Sequence, residues 1–212
     1  MPIANTLAVL YELPLIVPTL VVVIYFICFI LLNFPWTYVV DKHGLGVPTI
    51  VASALSVGGA WLRFLSVPSG DFEWVLAGSV VGAIGAPVFH MAPTKVAHAW
   101  FPESEANKAA AVATLAYPTG IMLGYGLPAI YMDGGDLSPG HEATGLKHFE
   151  SYQLFLALFI SAMGAPALFL FRSTPPVAPS FTSGLHSLTL TGSLRSAFSN
   201  RDFVLLLTSF VL

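Results

Sequence analysis

Long apolar stretches separated by short polar ones dominate the pattern of this chain. Five of them are long enough to cross a bilayer as α-helices, because about 20 residues at ~1.5 Å each span the hydrocarbon core. They cover residues 15–40, 47–67, 74–96, 108–131 and 152–171. A further apolar segment, 203–212, reaches only about 15 Å as a helix. We therefore expect it to be the truncated start of another span.

The polar connections predict how the spans are grouped. Residues 1–14 form a loop before the first span, and the Gly/Asp-rich stretch 132–150 forms a loop between the last two. Residues 172–201 are rich in Pro, Ser and Thr, which makes them too polar to cross a membrane and unsuited to one continuous helix. We expect an N-terminal bundle over 15–171, followed by a linker that joins it to a second bundle.

Composition supports an all-α membrane protein. The chain is 56% hydrophobic and only 9% charged, whereas a soluble domain carries about 25% charged residues. The bilayer is thus the expected surrounding, with the plasma membrane favoured over an organelle membrane. The net charge of −3 excludes a basic nucleic-acid surface. The lone cysteine, Cys28, lies in an apolar run and forms no disulfide framework.

The distribution of basic residues predicts the orientation. Alternate connections place six of the eight Lys and Arg residues on one side, which the positive-inside rule assigns to the cytoplasm. These six are Lys42, Lys95, Lys108, Arg172, Arg195 and Arg201. The chain is therefore expected to start outside, with Arg63 and Lys147 on the outer side and the 172–201 linker in the cytoplasm.

The spans carry no pattern of catalytic chemistry. Paired carboxylates, a nucleophile beside a base, and metal ligands at helical spacing are all missing from the apolar runs. We therefore expect neither an enzyme nor a cofactor. Gly120 and Gly124, one turn apart, suit close helix packing, with a gating hinge as the alternative. Asp41 fits either an interfacial turn or a carboxylate that latches neighbouring helix ends.

Several stretches together resemble one transporter family. Residues 34–45 (FPWTYVVDKHGL) resemble the loop between helices two and three of the major facilitator superfamily, and more narrowly of the feline leukaemia virus subgroup C receptor and disrupted-in-renal-carcinoma family. Further matching stretches are 59–63 (GAWLR), 92–102 (APTKVAHAWFP), 175–180 (PPVAPS) and 200–207 (NRDFVLLL). The resemblance implies that the five spans are helices two to six, that 202–212 begins helix seven, and that the linker joins two halves.

The resemblance also implies candidate site residues. Tyr25 and Phe26 fall where the family lines its central cavity, while Pro87 and Tyr117 fall near positions where choline-carrying relatives have Gln and Asn. We add Met91 to the expected cavity lining. Asp41 would hold the cytoplasmic gate, although Gly46 stands where the family usually has a basic residue.

The expected activity is alternating-access transport of a small organic solute, by uniport rather than ion coupling. Members of the family carry choline, ethanolamine, haem or vitamin-like amines, so a choline-like amine or haem is the implied solute. The alternative is a receptor-like or assembly protein that keeps the helices and has lost the transport cycle.

Overall fold

The computed structural model describes residues 2–131, 142–170 and 199–200, and within these ranges it contains seven helices and no β-strand. The helices are α1 (Pro2–Leu10), α2 (Ile16–His43), α3 (Gly46–Ser69), α4 (Phe72–Trp100), α5 (Glu103–Thr114), α6 (Ala116–Tyr131) and α7 (Glu142–Leu170). The predicted all-α fold is confirmed.

Five helical segments in the described part of the chain are long and apolar enough to cross a membrane. They are α2, α3, α4, α7 and the 29-residue segment Glu103–Tyr131 that α5 and α6 form together. Leu115, between α5 and α6, keeps helical torsion angles (φ −63°, ψ −20°). The interruption is local, and it precedes Pro118, which has no backbone N–H to continue the hydrogen-bond ladder.

Three regions differ from the expected loops or lie outside the description. Residues 2–10 form α1, where a loop was expected, and α7 begins at Glu142, inside the predicted loop 132–150. A span predicted from hydrophobicity ends at the first cluster of polar residues. A helix defined by backbone hydrogen bonds can continue through such a cluster. The predicted linker and the segment after it lie outside the described residues, apart from 199–200.

α3 and α4 form the tightest helix pair because glycines face each other across it. A Cβ atom at Gly59 would lie 2.5 Å from the carbonyl oxygen of Gly78 and 2.9 Å from the backbone nitrogen of Gly82. Gly85 meets α3 in the same way, with its Cβ position 3.0 Å from the Cα of Ala52. Small residues at these positions let the two backbones touch.

Hydrogen bonds from two indole rings join α2 and α7 to this pair. Trp36 Nε1 donates to the backbone oxygen of Ile84 at 2.7 Å, which links α2 to α4. Trp61 Nε1 donates to Ser161 Oγ at 3.0 Å, which links α3 to α7. α3 and α4 therefore form the centre of the bundle, with α2 against α4 and α7 against α3.

A small hydrophobic core closes the end of the bundle where α3 ends and α4 begins. Leu7, Val75, Phe149 and Tyr152 are buried there together. The hydroxyl of Tyr11 donates to Ser66 Oγ at 2.9 Å, so the chain after α1 is tied to the end of α3. We call this end the Asp71 end and the opposite one the Asp41 end.

Candidate functional site

A cavity of about 990 Å³ lies between α2, α4 and α6. α2 and α6 form its two sides, and α4 contributes a face of small residues between them. On α4 the lining positions repeat at intervals of three or four, as one face of a helix does. They include Gly82, Ala83, Ala86, His90 and Pro93.

Aromatic rings from three helices meet at this cavity. The ring of His90 lies 4.4 Å from that of Tyr117 on α6 and 4.8 Å from that of Phe29 on α2, both edge to face. Tyr25 and Phe26 also line the cavity from α2, with their ring centroids 5.9 Å apart. We call the lining residues Tyr25, Phe26, His90 and Tyr117 the aromatic cluster. Such rings can attract an organic cation through their π faces.

The structure brings some of the predicted site residues to the cavity and leaves others away from it. Tyr25, Phe26, Tyr117 and Gly124 line it. Gly120 is not among the lining residues. A Cβ atom at Gly120 or at Gly124 would meet nothing within 4 Å.

Pro87 and Met91 are not among the residues that line this cavity, although the resemblance implied a site position for Pro87 and we expected Met91 in the lining. Pro87 is fully buried. Met91 faces α2, where its sulfur accepts a hydrogen bond from Thr37 Oγ1 at 3.2 Å. At about 100° of rotation per residue, both positions fall outside the lining face of α4.

Asp41 makes an ion pair near the end of α2. Its Oδ1 lies 2.5 Å from Nζ of Lys95 on α4, and the two side chains are 26% and 37% exposed. The carboxylate thus joins a neighbouring helix through a basic side chain, which fits the carboxylate latch rather than a simple interfacial turn. This pair lies beyond the cavity, at the Asp41 end. Whether it gates the cavity stays a prediction.

Arg63 also lines the cavity, and sequence reasoning overlooked it as a site residue. It was assigned to the outer side only by its place among the basic residues. The available signal was its position within the predicted span 47–67, since an ionisable residue inside a span usually faces a bundle interior or a cavity.

The described side chains include no cluster of three or more His, Cys, Asp or Glu residues that could hold a metal ion. The described lining offers a solute aromatic faces, an imidazole, hydroxyl groups and one guanidinium.

Comparisons relate the chain to a known family and to several named proteins. The Major Facilitator Superfamily profile matches residues 1–212. The chain is 26% identical over 198 residues to the choline/ethanolamine transporter flvcr2a of Danio rerio, covering 88% of this chain and 40% of the relative. It is 25% identical to the choline/ethanolamine transporter FLVCR1 of Felis catus, covering 88% of this chain and 34% of the relative.

Two further similarities agree. An uncharacterised transporter of the same superfamily in Caenorhabditis elegans, C09D4.1, is 27% identical over 98% of this chain and 36% of its own length. The chain thus spans 34–40% of the length of these three relatives. Among solved structures, the fucose:proton symporter FucP of E. coli aligns with a TM-score of 0.57 at 16% identity, covering 93% of this chain and 52% of that one.

Proposed function

The chain belongs to the Major Facilitator Superfamily, and from this premise we propose that it forms part of a transporter that moves a small organic solute by alternating access. The solute is a choline- or ethanolamine-like amine. The names of the relatives from Danio rerio and Felis catus support this substrate class. The implied haem alternative has no such support and becomes one arm of the test below.

The aromatic cluster carries the proposal. Tyr25, Phe26 and Tyr117 line one cavity, and a quaternary or primary ammonium group gains about 0.5–2 kcal/mol from each ring face that it contacts. The attraction is stronger when the ammonium group is desolvated. The cavity lies between helices rather than at a helix end, as solute sites in such transporters do.

The gate is proposed at the Asp41 end of the bundle. The Asp41–Lys95 ion pair fastens α2 to α4 there, and rearrangement of these helix ends would require it to open or shift. Gly120 and Gly124 on α6 meet nothing within 4 Å of a Cβ position, so α6 can bend or approach another helix at these points.

With no carboxylate among the described residues that line the cavity, uniport is the favoured drive, and the plasma membrane is the proposed location.

Uptake of radiolabelled choline and ethanolamine by cells that express the protein at their surface tests the proposal. We expect saturable uptake that Tyr117→Ala lowers about five-fold, equivalent to ~1 kcal/mol for one ring. Tyr117→Phe should retain most of it, because the π face remains. Phe169→Ala is the matched control, since Phe169 is 84% exposed on α7. A parallel haem uptake assay tests the other implied solute.

The same assay includes a negative outcome for the whole class. Absence of saturable amine or haem uptake, with surface expression confirmed, would favour the receptor-like or assembly protein. Equal losses in Tyr117→Ala and Phe169→Ala would contradict the aromatic cluster as the binding site.

A further inference from the structure

Arg63 places a positive charge inside the cavity. It lies on α3 six residues before the end of that helix at Ser69, and its Cγ would be 2.7 Å from a Cβ atom at Gly78. The absence of a side chain at Gly78 therefore gives the arginine its path across α4. Ser56, two turns earlier on α3, and Ser79, next to Gly78, line the same cavity.

This charge has no acidic partner among the described residues. The Nε atom of Arg63 is buried and has no hydrogen-bond acceptor, and the one ion pair within those residues joins Lys95 to Asp41 instead. The guanidinium interacts with Tyr152, but a phenol is neutral at physiological pH. An arginine cannot lose its proton to escape the cost of burial.

We propose that Arg63 forms an oxyanion subsite in the cavity, which binds a phosphate or carboxylate group of the solute. The guanidinium presents a planar fork of N–H donors that matches such a group with two parallel hydrogen bonds. The hydroxyl of Ser56 can donate a further hydrogen bond from the same wall. That of Ser79 donates to the backbone oxygen of Val75 at 2.7 Å and would have to leave this acceptor to bind the solute.

The subsite deepens the proposed function and rests on it. Taken with the aromatic cluster, it defines the solute as an amine that also carries a negative oxygen group. A solute with only a positive charge would leave the guanidinium uncompensated and would therefore bind more weakly than one that also carries an anionic oxygen group. Gly78, beside Arg63, and His90 are twelve residues apart on α4, about 18 Å of helix. The two groups therefore lie in different parts of the cavity, and binding of a small solute's oxygen group by Arg63 does not require contact with His90 at the same time.

Phosphocholine and choline form a matched pair of probes, because they share the trimethylammonium group and differ in the phosphate. The full chain, purified in phospholipid-free dodecyl maltoside, is titrated with each by calorimetry. We expect phosphocholine to bind at least tenfold more tightly than choline. Arg63→Gln should remove this preference, and Arg63→Lys should keep only part of it, since an ammonium lacks the fork.

Lys147→Gln is the charge-matched control. It also removes one positive charge, from an exposed position on α7 outside the cavity lining, and it should keep the full preference for phosphocholine. Thermal unfolding gives a second readout. If Arg63 is an uncompensated ligand-binding charge, Arg63→Gln should unfold at the same temperature as the parent or higher.

The outcomes separate this proposal from its alternatives. Equal affinity for the two probes in the parent chain overturns the subsite, whatever the variants do. The subsite is also overturned if both Arg63 variants keep the preference for phosphocholine over choline. The same holds if Arg63→Gln unfolds at a lower temperature with that preference unchanged, and Arg63 then belongs to the fold. Should Arg63→Gln not fold, a drop in preference of threefold or more in Arg63→Lys supports the subsite, and an unchanged preference contradicts it.

The phosphate can come from a free solute or from a lipid headgroup, and nanodiscs distinguish the two. If phosphocholine binding persists in phosphatidylcholine nanodiscs, the subsite takes a free solute. If it disappears there but persists in phosphate-free galactolipid nanodiscs, the lipid headgroup occupies the subsite. Both results support oxyanion binding. If phosphocholine binds but no amine is taken up, the subsite stands and the proposed transport is rejected. If choline is taken up but phosphocholine does not bind more tightly than choline, the transport stands and the subsite is rejected.

Discussion

At the scale of single residues, the closest approach of α3 and α4 depends on glycine. A methyl group at Gly59 would meet backbone atoms of Gly78 and Gly82 at 2.5 and 2.9 Å, and backbone cannot rotate away as a flexible side chain can. We expect Gly59→Ala to destabilise the bundle by about 1–3 kcal/mol, the typical cost of overpacking. The measurement is thermal unfolding of the purified chain in detergent.

Gly58 offers a control one residue away on the same helix. Nothing lies within 4 Å of its Cβ position, so Gly58→Ala should leave stability unchanged or raise it by up to about 1 kcal/mol through helix propensity. A similar loss in both variants would show that the helix crossing is not the cause.

The candidate site was only partly predictable residue by residue. Tyr25, Phe26 and Tyr117 were expected to line a cavity and do so, although their role as ligands is untested. Pro87 and Met91 do not, because the face that a buried helix turns to a cavity depends on its neighbours and not on its own sequence. Arg63 was overlooked for a related reason. Nothing in the sequence shows that the facing position, Gly78, leaves room for its side chain.

At the scale of helices, the sequence predicted the elements well and their ends less well. The five predicted spans correspond to the five membrane-length segments of the structure. The ends of α2 and α3 depend on backbone geometry instead, since both helices stop at a glycine with positive φ, Gly44 at 74° and Gly70 at 72°. A glycine in this conformation commonly ends a helix. In α2 and α3 it lies a few residues beyond the last apolar position, so both helices are longer than the predicted spans at this end.

The link between α2 and α4 through Asp41 and Lys95 leads to a prediction at this scale. The pair is partly exposed, so its contribution to stability should be at most about 1 kcal/mol and should fall as salt screens it. In a double-mutant cycle, Asp41→Asn and Lys95→Gln should each cause the same small loss, and the double variant no more than either. The coupling is measured by thermal unfolding at about 0.03 M and about 0.5 M salt. The screening length is roughly fourfold shorter at the higher concentration.

Strictly additive losses in that cycle would show that the two side chains do not interact. A gating role requires a different result. Both single variants should alter uptake far more than stability, and the charge-exchanged pair Asp41→Lys with Lys95→Asp should restore it. Uptake that follows stability in every variant would make the pair a structural contact alone.

At the scale of the whole molecule, the likeness to the fucose symporter covers 93% of this chain but only 52% of that protein. In the proposed transport cycle, the cavity would be the contribution of this bundle. Its lining comes mainly from α2, α4 and α6, with Ser56 and Arg63 added from α3, whereas the rest of α3 and α7 lie behind it. The bundle would hold Arg63 and the aromatic cluster in fixed positions relative to each other while it moves against the other half.

The orientation of this bundle can be tested by cysteine labelling, because Cys28 is the single native cysteine. In a Cys28→Ser background, cysteines are introduced one at a time at Lys42, Asp71, Lys108 and Arg172. One span separates positions 42 and 71, while two spans separate 42 from 108 and four separate it from 172. A membrane-impermeant maleimide added to intact cells should therefore label position 71 alone, and the other three only after permeabilisation. The positive-inside rule fixes which face is cytoplasmic, and the even number of crossings requires that positions 42 and 172 share it. Labelling of these two positions from opposite faces would mean that one apolar helix does not cross, and the transporter topology could not hold.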